Sequence, residues 1–538
     1  MSNLVHGSER RPLVPGTLLF DEAAALSVVV PASCRKTGRC HECVVDIRAG
    51  QDQLAPRTDA ESYLTGSFRL ACQATVEKAE RDVEFVILRR RLRILLAPDA
   101  QGDVRTNPAV TVQDGRYVTY DGADLGEAVG APIGVAMDIG TTSIVIELVS
   151  LETGAVLAIA AIENPERFGG SDVMTRITFE TDVPGEMRKA LRRALNHELK
   201  RLCGELGLDR RQLVDGYVVG NPTMRDLAFD LDIRPIGHIP YQSVTETAYR
   251  AGETATTAIT RKAHELGLML NAQARITGGP LIACHVGADA AADLVAVEAV
   301  ARGGRFLLVD IGTNSEIVAS DGERLVAASS PAGPAFEGGG VRYGMPGADG
   351  AIEAVRIRDG KIEVDVIGDA EPEGICGSGL VDLLAELRRA AWMNERGAFA
   401  EKKADIRLLP DSHITFSRAD IGHLSIAKAA TAVGQRVLLR TLGLRPEDLD
   451  HVYLAGGFAN AIDTRSAFDI GLLVPVAEQK VHRVGNASIA GARALLLDMD
   501  RRAELDALVQ RITHIELERE PDFFDMFTDG CLFDPIEV

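Results

Sequence analysis

One short signature occurs twice in this chain, and a chain that repeats it is expected to fold as two related halves. Residues 136–148 read AMDIGTTSIVIEL and residues 308–320 read LVDIGTNSEIVAS, so D-I-G-T-x-S recurs with Asp138 and Asp310 172 positions apart. In each copy an apolar run enters Asp-Ile-Gly-Thr and a second apolar run leaves it. That pattern predicts two strands joined by a tight turn carrying an acid, a glycine and hydroxyls. Such a turn suits a nucleotide phosphate. Gly140 and Gly312 let backbone N–H groups come close, Thr141, Thr142, Thr313 and Asn314 can donate hydrogen bonds, and Asp138 and Asp310 can hold magnesium through water. Two of these hairpins facing each other would grip a triphosphate from both sides.

A second pattern lies upstream. Four of the eight cysteines fall in the first 72 residues, spaced C-x5-C-x2-C-x28-C as Cys34, Cys40, Cys43 and Cys72. Three thiols from one loop, CRKTGRCHEC, and a fourth from a distant strand is the layout of a 2Fe-2S site. The first gap resembles that of vertebrate-type ferredoxins. PGTLLFDEAAALSVVVP reads as turn, helix and strand before the loop; CVVDIRAG and RLACQATV read as strands after it. The alternative is structural zinc, which favours two C-x2-C pairs where this chain has one. Cys203, Cys284, Cys376 and Cys531 are scattered singly and read as inert thiols.

Composition sets the outer limits. At 538 residues with 46% hydrophobic and 25% charged residues, the chain should form several domains of about 150 residues. Residues 1–95 carry a charge of about +2, leaving about −22 on the remainder of a chain whose net charge is −20. That balance argues against nucleic acid or an anionic membrane as partner. No apolar run reaches the length of a membrane span and the N-terminus shows no signal-peptide pattern, so the cytoplasm is the expected location. Arg35, Lys36 and Arg39 in the cysteine loop could dock an acidic electron donor, or simply be solvated. Arg89, Arg90, Arg91 and Arg93 close the first domain. Residues 97–130, rich in Gly, Asp and Pro, read as linker with a hairpin at QDGRY.

The double hairpin resembles the superfamily of actin, sugar and acetate kinases and chaperone ATPase domains. Its adenosine element matches HVYLAGGFAN (451–460), with Gly456 and Gly457. Together with the cysteine domain, GNPTM (220–224), CHVGAD (284–289), SSPAGPAFEGGG (329–340), GICGSGLVDL (374–383), AKAA (427–430) and VGNASIAGA (484–492) resemble the reductive activators of corrinoid-dependent enzymes. The resemblance implies an α/β multi-domain chain. A β-grasp 2Fe-2S ferredoxin domain spans 1–96, a linker 97–132, and a duplicated actin-like, ribonuclease-H-like ATPase domain 133–538, with lobes of approximately 133–300 and 301–538. It implies a 2Fe-2S cluster on the four cysteines, and ATP with Mg2+ in the cleft. Asp138 and Asp310 would be catalytic, and Gly140, Thr141, Thr142, Gly312, Thr313, Asn314, Gly377, Gly379, Gly456 and Gly457 would bind the nucleotide.

The implied activity is ATP-dependent, one-electron reduction of a corrinoid protein from cobalt(II) to cobalt(I). The partners would be that cobalamin-binding protein and an electron donor such as a flavin reductase or reduced ferredoxin, with a homodimer left open. The cysteine loop lacks the family's glycine-rich form C-G-G-x-G-x-C-G-x-C. The stretch before the ATPase is short, so a separate middle domain is not expected. Among the other segments, Pro331–Gly340 reads as a ligand-sensing loop or a structural turn, and Asp289 as a helix N-cap or a magnesium or water positioner. The aromatic tail EPDFFDMFTDGCLF is expected to dock as core. Two other classes stay open: a small-molecule kinase with a redox-sensing ferredoxin domain, and a non-catalytic, nucleotide-gated redox sensor. Activators of 2-hydroxyacyl-CoA dehydratases share the ATPase fold, but hold their cluster between two subunits.

Overall fold

The computed structural model describes residues 2–7, 9–88, 106–368, 370–401, 403–410, 412–457 and 459–538; Arg89, Arg90, Arg91 and Arg93 lie outside them. The chain forms two compact units, and neither is one continuous stretch. The first comprises residues 1–91 with 162–198, and the second residues 92–161 with 199–538.

The first unit is built on a five-stranded sheet in the order Glu9–Pro12, Asn3–His6, Val83–Ile87, Val44–Ala49, Phe68–Leu70. Its central pair, Asn3–His6 and Val83–Ile87, is parallel and the other pairings are antiparallel, which is a β-grasp arrangement. The helix Leu19–Ala25 buries Leu19, Glu22 and Ala23, three and four residues apart on one face, while Asp21 stays exposed. Glu22 is charge-paired, its Oε2 accepting from Arg11 Nε at 2.7 Å. The run Val28–Val30, expected as a strand, pairs with none, and Val29 is 82% exposed. β-branched residues alone do not make a strand without a sheet edge to bond to. Residues 162–198 supply the helix Val173–Asp182 and the start of the helix Glu186–Leu206. Phe168 meets Tyr63 edge-on at 5.7 Å, so this later stretch packs onto the ferredoxin-like fold.

The second unit contains two six-stranded sheets. One runs Val156–Glu163, Ser143–Ser150, Ile133–Ile139, Leu213–Val219, Arg275–Gly278, Ile259–Lys262. The other, taken from its third hairpin strand, runs Leu325–Ser330, Ser315–Ser320, Phe306–Ile311, His451–Ala455, Val481–Gly485, with Ile512–His514 beside Leu325–Ser330. With the edge strand Ile259–Lys262 set aside, which precedes Arg275–Gly278 in the chain, the remaining five strands of the first sheet follow the order 3-2-1-4-5, as do the first five of the second. In both, the first strand is antiparallel to the second and parallel to the fourth, and the fourth is parallel to the fifth. The sequence repeat is thus a repeat of topology. Val135, Ala136 and Met137 in one first strand and Leu307, Leu308 and Val309 in the other are fully buried, as strands covered on both faces require.

After the fifth strand of each sheet comes a helix rich in small residues, Ala288–Ala296 in one half and Ala487–Leu497 in the other. The two cross in direct contact. A Cβ at Gly491 would stand 2.0 Å from the Ala292 carbonyl oxygen, so only glycine permits this approach. Ser488 Oγ donates to Asp293 Oδ1 at 2.9 Å across the crossing. The helix of the second half packs on the first half's sheet: Ile489, Ala492, Leu495 and Leu496 share a core with Ala136, Val145 and Tyr217.

Within the stretch read as linker, Val110–Gln113, Arg116–Thr119 and Asp124–Glu127 form a three-stranded sheet whose first turn is the expected Asp114-Gly115. Tyr117 anchors it, buried in the core that contains Ala136 and Leu496. The C-terminal tail docks as expected. Phe533 is 1% exposed, and Lys428 of the AKAA segment donates to the Leu532 carbonyl at 2.7 Å. Phe524 departs from that expectation at 83% exposed. No helix among the described residues is long and apolar enough to cross a membrane.

Gly491→Ala should lower the denaturation midpoint, by about 1–3 kcal/mol for an overpacked contact. Urea unfolding followed by circular dichroism reads it, with Gly204→Ala, where a Cβ meets nothing, as control.

Candidate functional site

Cys34, Cys40, Cys43 and Cys72 come together in the first unit. Cys40, Cys43 and Cys72 are buried and Cys34 is partly exposed. They act on one another in two couples, Cys34 with Cys40 and Cys43 with Cys72. The bond from Cys43 brings the Cys72 thiol down to about 6 against burial; on its other side Cys43 is pushed up by the same bond and by burial. Burial raises Cys34 too, but hydrogen bonds from Thr37, Cys40 and the Arg39 backbone outweigh it and bring it to about 6. Thiols that ionise readily are ready ligands. Among the described residues no group of three or more His, Cys, Asp or Glu side chains surrounds a single point. Two thiol couples supply the donor set that a 2Fe-2S cluster takes.

The scaffold of the loop explains its shape. Glu61, fully buried, accepts from Arg69 Nε at 2.8 Å and from the Leu70 N–H at 3.0 Å, and the Ala71 N–H bonds the Cys43 carbonyl at 2.9 Å. Those bonds fix Cys72 opposite the loop. The backbone is left-handed at Arg35 (φ 53°), Lys36 (65°), Gly38 (74°) and His41 (54°). In C-G-G-x-G-x-C-G-x-C these are the four glycine positions. The loop keeps the glycine conformation with three side chains in it, each at a cost of about 1–2 kcal/mol. Two of the three are held. Lys36 pairs with Asp21 and lies 5.4 Å over the Phe20 ring. His41 Nδ1–H donates to Glu186 Oε2 at 2.6 Å and stacks on Tyr63 at 4.3 Å. The hydrogen bond from His41, then that from Lys189, holds the Glu186 carboxyl down at about 2. Arg193 donates to the Cys40 carbonyl.

The second unit holds a cleft of about 640 Å³, the size of a small-ligand site, between the two hairpins. Each hairpin turn is closed by its glycine: Gly140 N–H bonds the Ser143 carbonyl at 2.9 Å and Gly312 N–H the Asn314 carbonyl at 3.1 Å. Asp138, Gly140, Thr141, Thr142, Asp310, Gly312, Thr313, Asn314, Gly377, Gly456 and Gly457 all line the cleft. Gly379 does not. A Cβ there would stand 2.3 Å from the Ile352 carbonyl, so close packing of its helix on the neighbouring strand explains this glycine. Gly456 adopts φ 119° and passes the Ile311 carbonyl at a distance no Cβ would allow.

Several cleft residues had no assigned role in the sequence. Asn486, from VGNASIAGA, caps its helix and donates to Asp138 Oδ2 at 3.1 Å. Asn221, from GNPTM, caps another and donates to Thr141 Oγ1 at 2.9 Å. Asp289 is not the N-cap, which is Gly287; it sits in the first turn and lines the cleft. Thr142 and Thr313, their hydroxyls 2.9 Å apart, both donate to Oε2 of Glu337, Thr142 at 2.8 Å. Glu337 belongs to SSPAGPAFEGGG, and only its place in that Gly-rich loop hinted at it.

The charges are one-sided. Asp138, Asp289, Asp310, Glu316, Glu337 and Glu353 line the cleft with no Lys, Arg or His among the described lining residues. Burial first, then repulsion from Asp289 and Asp310, pushes Asp138 up to about 7. Burial and Asp289 push Asp310 to about 7, burial raises Asp289 to about 6, and Asp293 and Glu316 are raised well above the carboxylate range. A phosphate can enter such a site only with a cation.

The full chain matches three family descriptions in order: a 2Fe-2S iron-sulfur cluster binding domain over residues 5–77, the RACo middle region over 133–301, and the C-terminal domain of RACo, the ASKHA domain, over 305–537. It is 30% identical over 427 residues to the corrinoid activation enzyme RamQ of Eubacterium limosum, covering 74% of this chain and 70% of that one. The chain belongs to the corrinoid-activator family. It is also 25% identical over 406 residues to a [Co(II) methylated amine-specific corrinoid protein] reductase of Methanosarcina barkeri, covering 71% and 73%. The solved structure titled reductive activator for corrinoid, iron-sulfur protein superposes with a TM-score of 0.73 at 26% identity, over 100% of this chain and 99% of that one. The family's middle region is present after all: it falls on the residues read as the first ATPase lobe, and its stretch 162–198 lies in the first unit.

Two outcomes follow from the cleft. Asp138 and Asp310 ionise less readily folded than unfolded, where a carboxylate titrates near 3.9. The folded state then binds more protons, so this contribution to stability is complete at low pH and lost as pH rises through about 7. Without divalent cations the melting temperature should fall from pH 5.5 to 8, and Mg2+ should flatten that slope; differential scanning fluorimetry reads both. Glu337→Ala frees two hydroxyls and removes one negative charge. MgATP affinity should then rise about tenfold by calorimetry, whereas weaker binding would mark Glu337 as a cation holder.

Proposed function

We propose that the protein reduces a corrinoid partner protein by one electron, from cobalt(II) to cobalt(I), at the expense of ATP. The observation that carries this reading is the match of one chain to ferredoxin, middle and ASKHA regions, with relatives named for corrinoid activation and cobalt(II) corrinoid reduction. The proposed domains are 1–96, the connecting stretch 97–132 and the ATPase part 133–538. Cys34, Cys40, Cys43 and Cys72 are the proposed ligands. The 2Fe-2S cluster they would hold supplies, when bound, one-electron transfer at low potential, near −400 mV in plant-type ferredoxins.

Reaching cobalt(I) demands a potential below that range, and each ~59 mV of deficit is a tenfold loss for one electron. ATP can close the gap only by favouring one partner-bound state over another. In the proposed site, Asp138, steadied by Asn486, and Asp310, beside Asp289, would hold Mg2+ directly or through water. The Gly140 and Gly312 turns, Thr141, Thr142, Thr313 and Asn314 would hold the phosphates. Gly377, Gly456 and Gly457 would leave room for the adenosine. Because the hairpins belong to different halves, phosphate held by both ties the halves together, and its hydrolysis releases that tie. The electron would come from a donor such as a flavin reductase or reduced ferredoxin.

The test supplies a chemical reductant and a cobalt(II) corrinoid protein and follows cobalt(I) absorbance. Cobalt(I) should accumulate only with MgATP. Cys72→Ser should bind ATP yet pass no electrons, and Asp310→Ala should lose ATP turnover by orders of magnitude with the cluster spectrum intact. Steady phosphorylation of a sugar or carboxylate, with every corrinoid protein ignored, would make the protein a kinase with a redox-sensing domain.

A further inference from the structure

Three side chains sit where the backbone of the cysteine loop is left-handed, and among the described residues only two are compensated by contacts. Lys36 has Asp21 and Phe20; His41 has Glu186 and Tyr63. Arg35, at φ 53° and exposed, has no ion pair, side-chain hydrogen bond or ring contact among the described residues. Arg39, also exposed, has no ion pair among the described residues either. A non-glycine residue held at positive φ persists where something compensates for it, and such positions gather at functional sites. Among the described residues nothing compensates for Arg35.

The position of these charges is specific. Cys34 is the one ligand candidate of the four that solvent reaches, at the surface next to Arg35; the other three are buried. An electron enters most readily by the shortest route through the surface, and here that route passes Cys34. The neighbouring Val29 is 82% exposed, and Ala32 and Thr37 are exposed as well. Within the loop 34–43 itself, Arg35, Lys36 and Arg39 outnumber the one acid, Glu42, in a chain whose net charge is −20. Arginine is the cation that engages carboxylates in a fixed fork geometry.

We propose that the surface around Cys34, carrying Arg35 and Arg39, is the docking site of an acidic protein electron donor. It rests on the reading of the four thiols as the cluster ligands. On docking, the donor loses one electron and this unit gains one; no bond is made or broken. The complementary charge raises the encounter rate and orients the donor toward Cys34, an effect that salt screens. The strain at Arg35 is then offset in the docked complex.

The experiment uses the full chain with its iron and an acidic plant-type ferredoxin as probe. Binding is measured by calorimetry at 20 and 300 mM salt, and reduction of the chain by stopped-flow absorbance. Wild type should bind at low salt and lose at least tenfold at high salt. Arg35→Glu with Arg39→Glu should lose at least tenfold at low salt and reverse the salt dependence, while reduction by the methyl viologen radical cation is not slowed and iron content is unchanged. Arg35→Gly separates docking from folding: it relieves the strained φ, so its melting temperature should hold or rise while ferredoxin binding weakens. Equal binding by wild type and both variants would overturn the proposal. So would a loss confined to cobalt(I) formation, which would assign the patch to the corrinoid partner. Because binding and viologen reduction need no corrinoid, failure of the corrinoid reading leaves them interpretable.

Discussion

Everything in the second unit turns on a contact with no room for a methyl group. Gly491 lies against the Ala292 carbonyl where the two repeat-related helices cross, and both helices begin in the cleft. Asn486, at the start of the second half's helix, reaches Asp138 on the first half's hairpin. Asp289, at the start of the first half's helix, acts electrostatically on Asp310 of the second. Each half thus attends to the other half's acid. Moving the crossing by a fraction of a side chain would move both acids relative to both hairpins, a geometry suited to coupling phosphate chemistry to the relation between halves.

The cleft is costly by itself. A cluster of buried carboxylates with no cationic side chain among the described lining residues raises its own pKa values, and Glu337 adds another carboxylate on the two threonines that phosphate would need. In the proposed site the compensating charges come from outside the chain, a divalent ion and a triphosphate together. Binding energy that would otherwise only lower a dissociation constant is available to shift conformation, because ligand entry exchanges one set of strong local interactions for another.

The hairpins, their shared topology and the cysteine spacing were legible in the sequence because each is a local pattern with few physical alternatives. Apolar runs flanking Asp-Ile-Gly-Thr leave little choice but a strand pair, and the repeat extended that choice to both sheets. The residues that orient the site were not legible. Asn221 and Asn486 look like ordinary helix caps, and their second role appears only when the fold carries Thr141 and Asp138 to them across 80 and 348 positions. Glu337 could not be told from a solvated loop acid, nor could Gly379 be told from a nucleotide-binding glycine, since sequence does not report what a Cβ would strike. Val28–Val30 misled for the opposite reason: its propensity is real, but no sheet edge receives it. The partnership of residues 1–91 with 162–198 had no signal at all, because it depends on side chains such as His41 and Glu186 meeting across the intervening chain.

That partnership sets a schedule for biogenesis. The cysteine loop is synthesised early, but its brace, Glu186 against His41 and Arg193 against the Cys40 carbonyl, comes from far downstream. At translation rates of about 5–20 residues per second, the brace emerges roughly 5–30 s after the last cysteine ligand. For that interval a nascent chain presents its four thiols, three of them on a loop whose strained His41 has not yet met Glu186. Iron–sulfur assembly machinery meeting the chain during synthesis would find an open loop, and the same loop would close behind its contents once the later helices arrive.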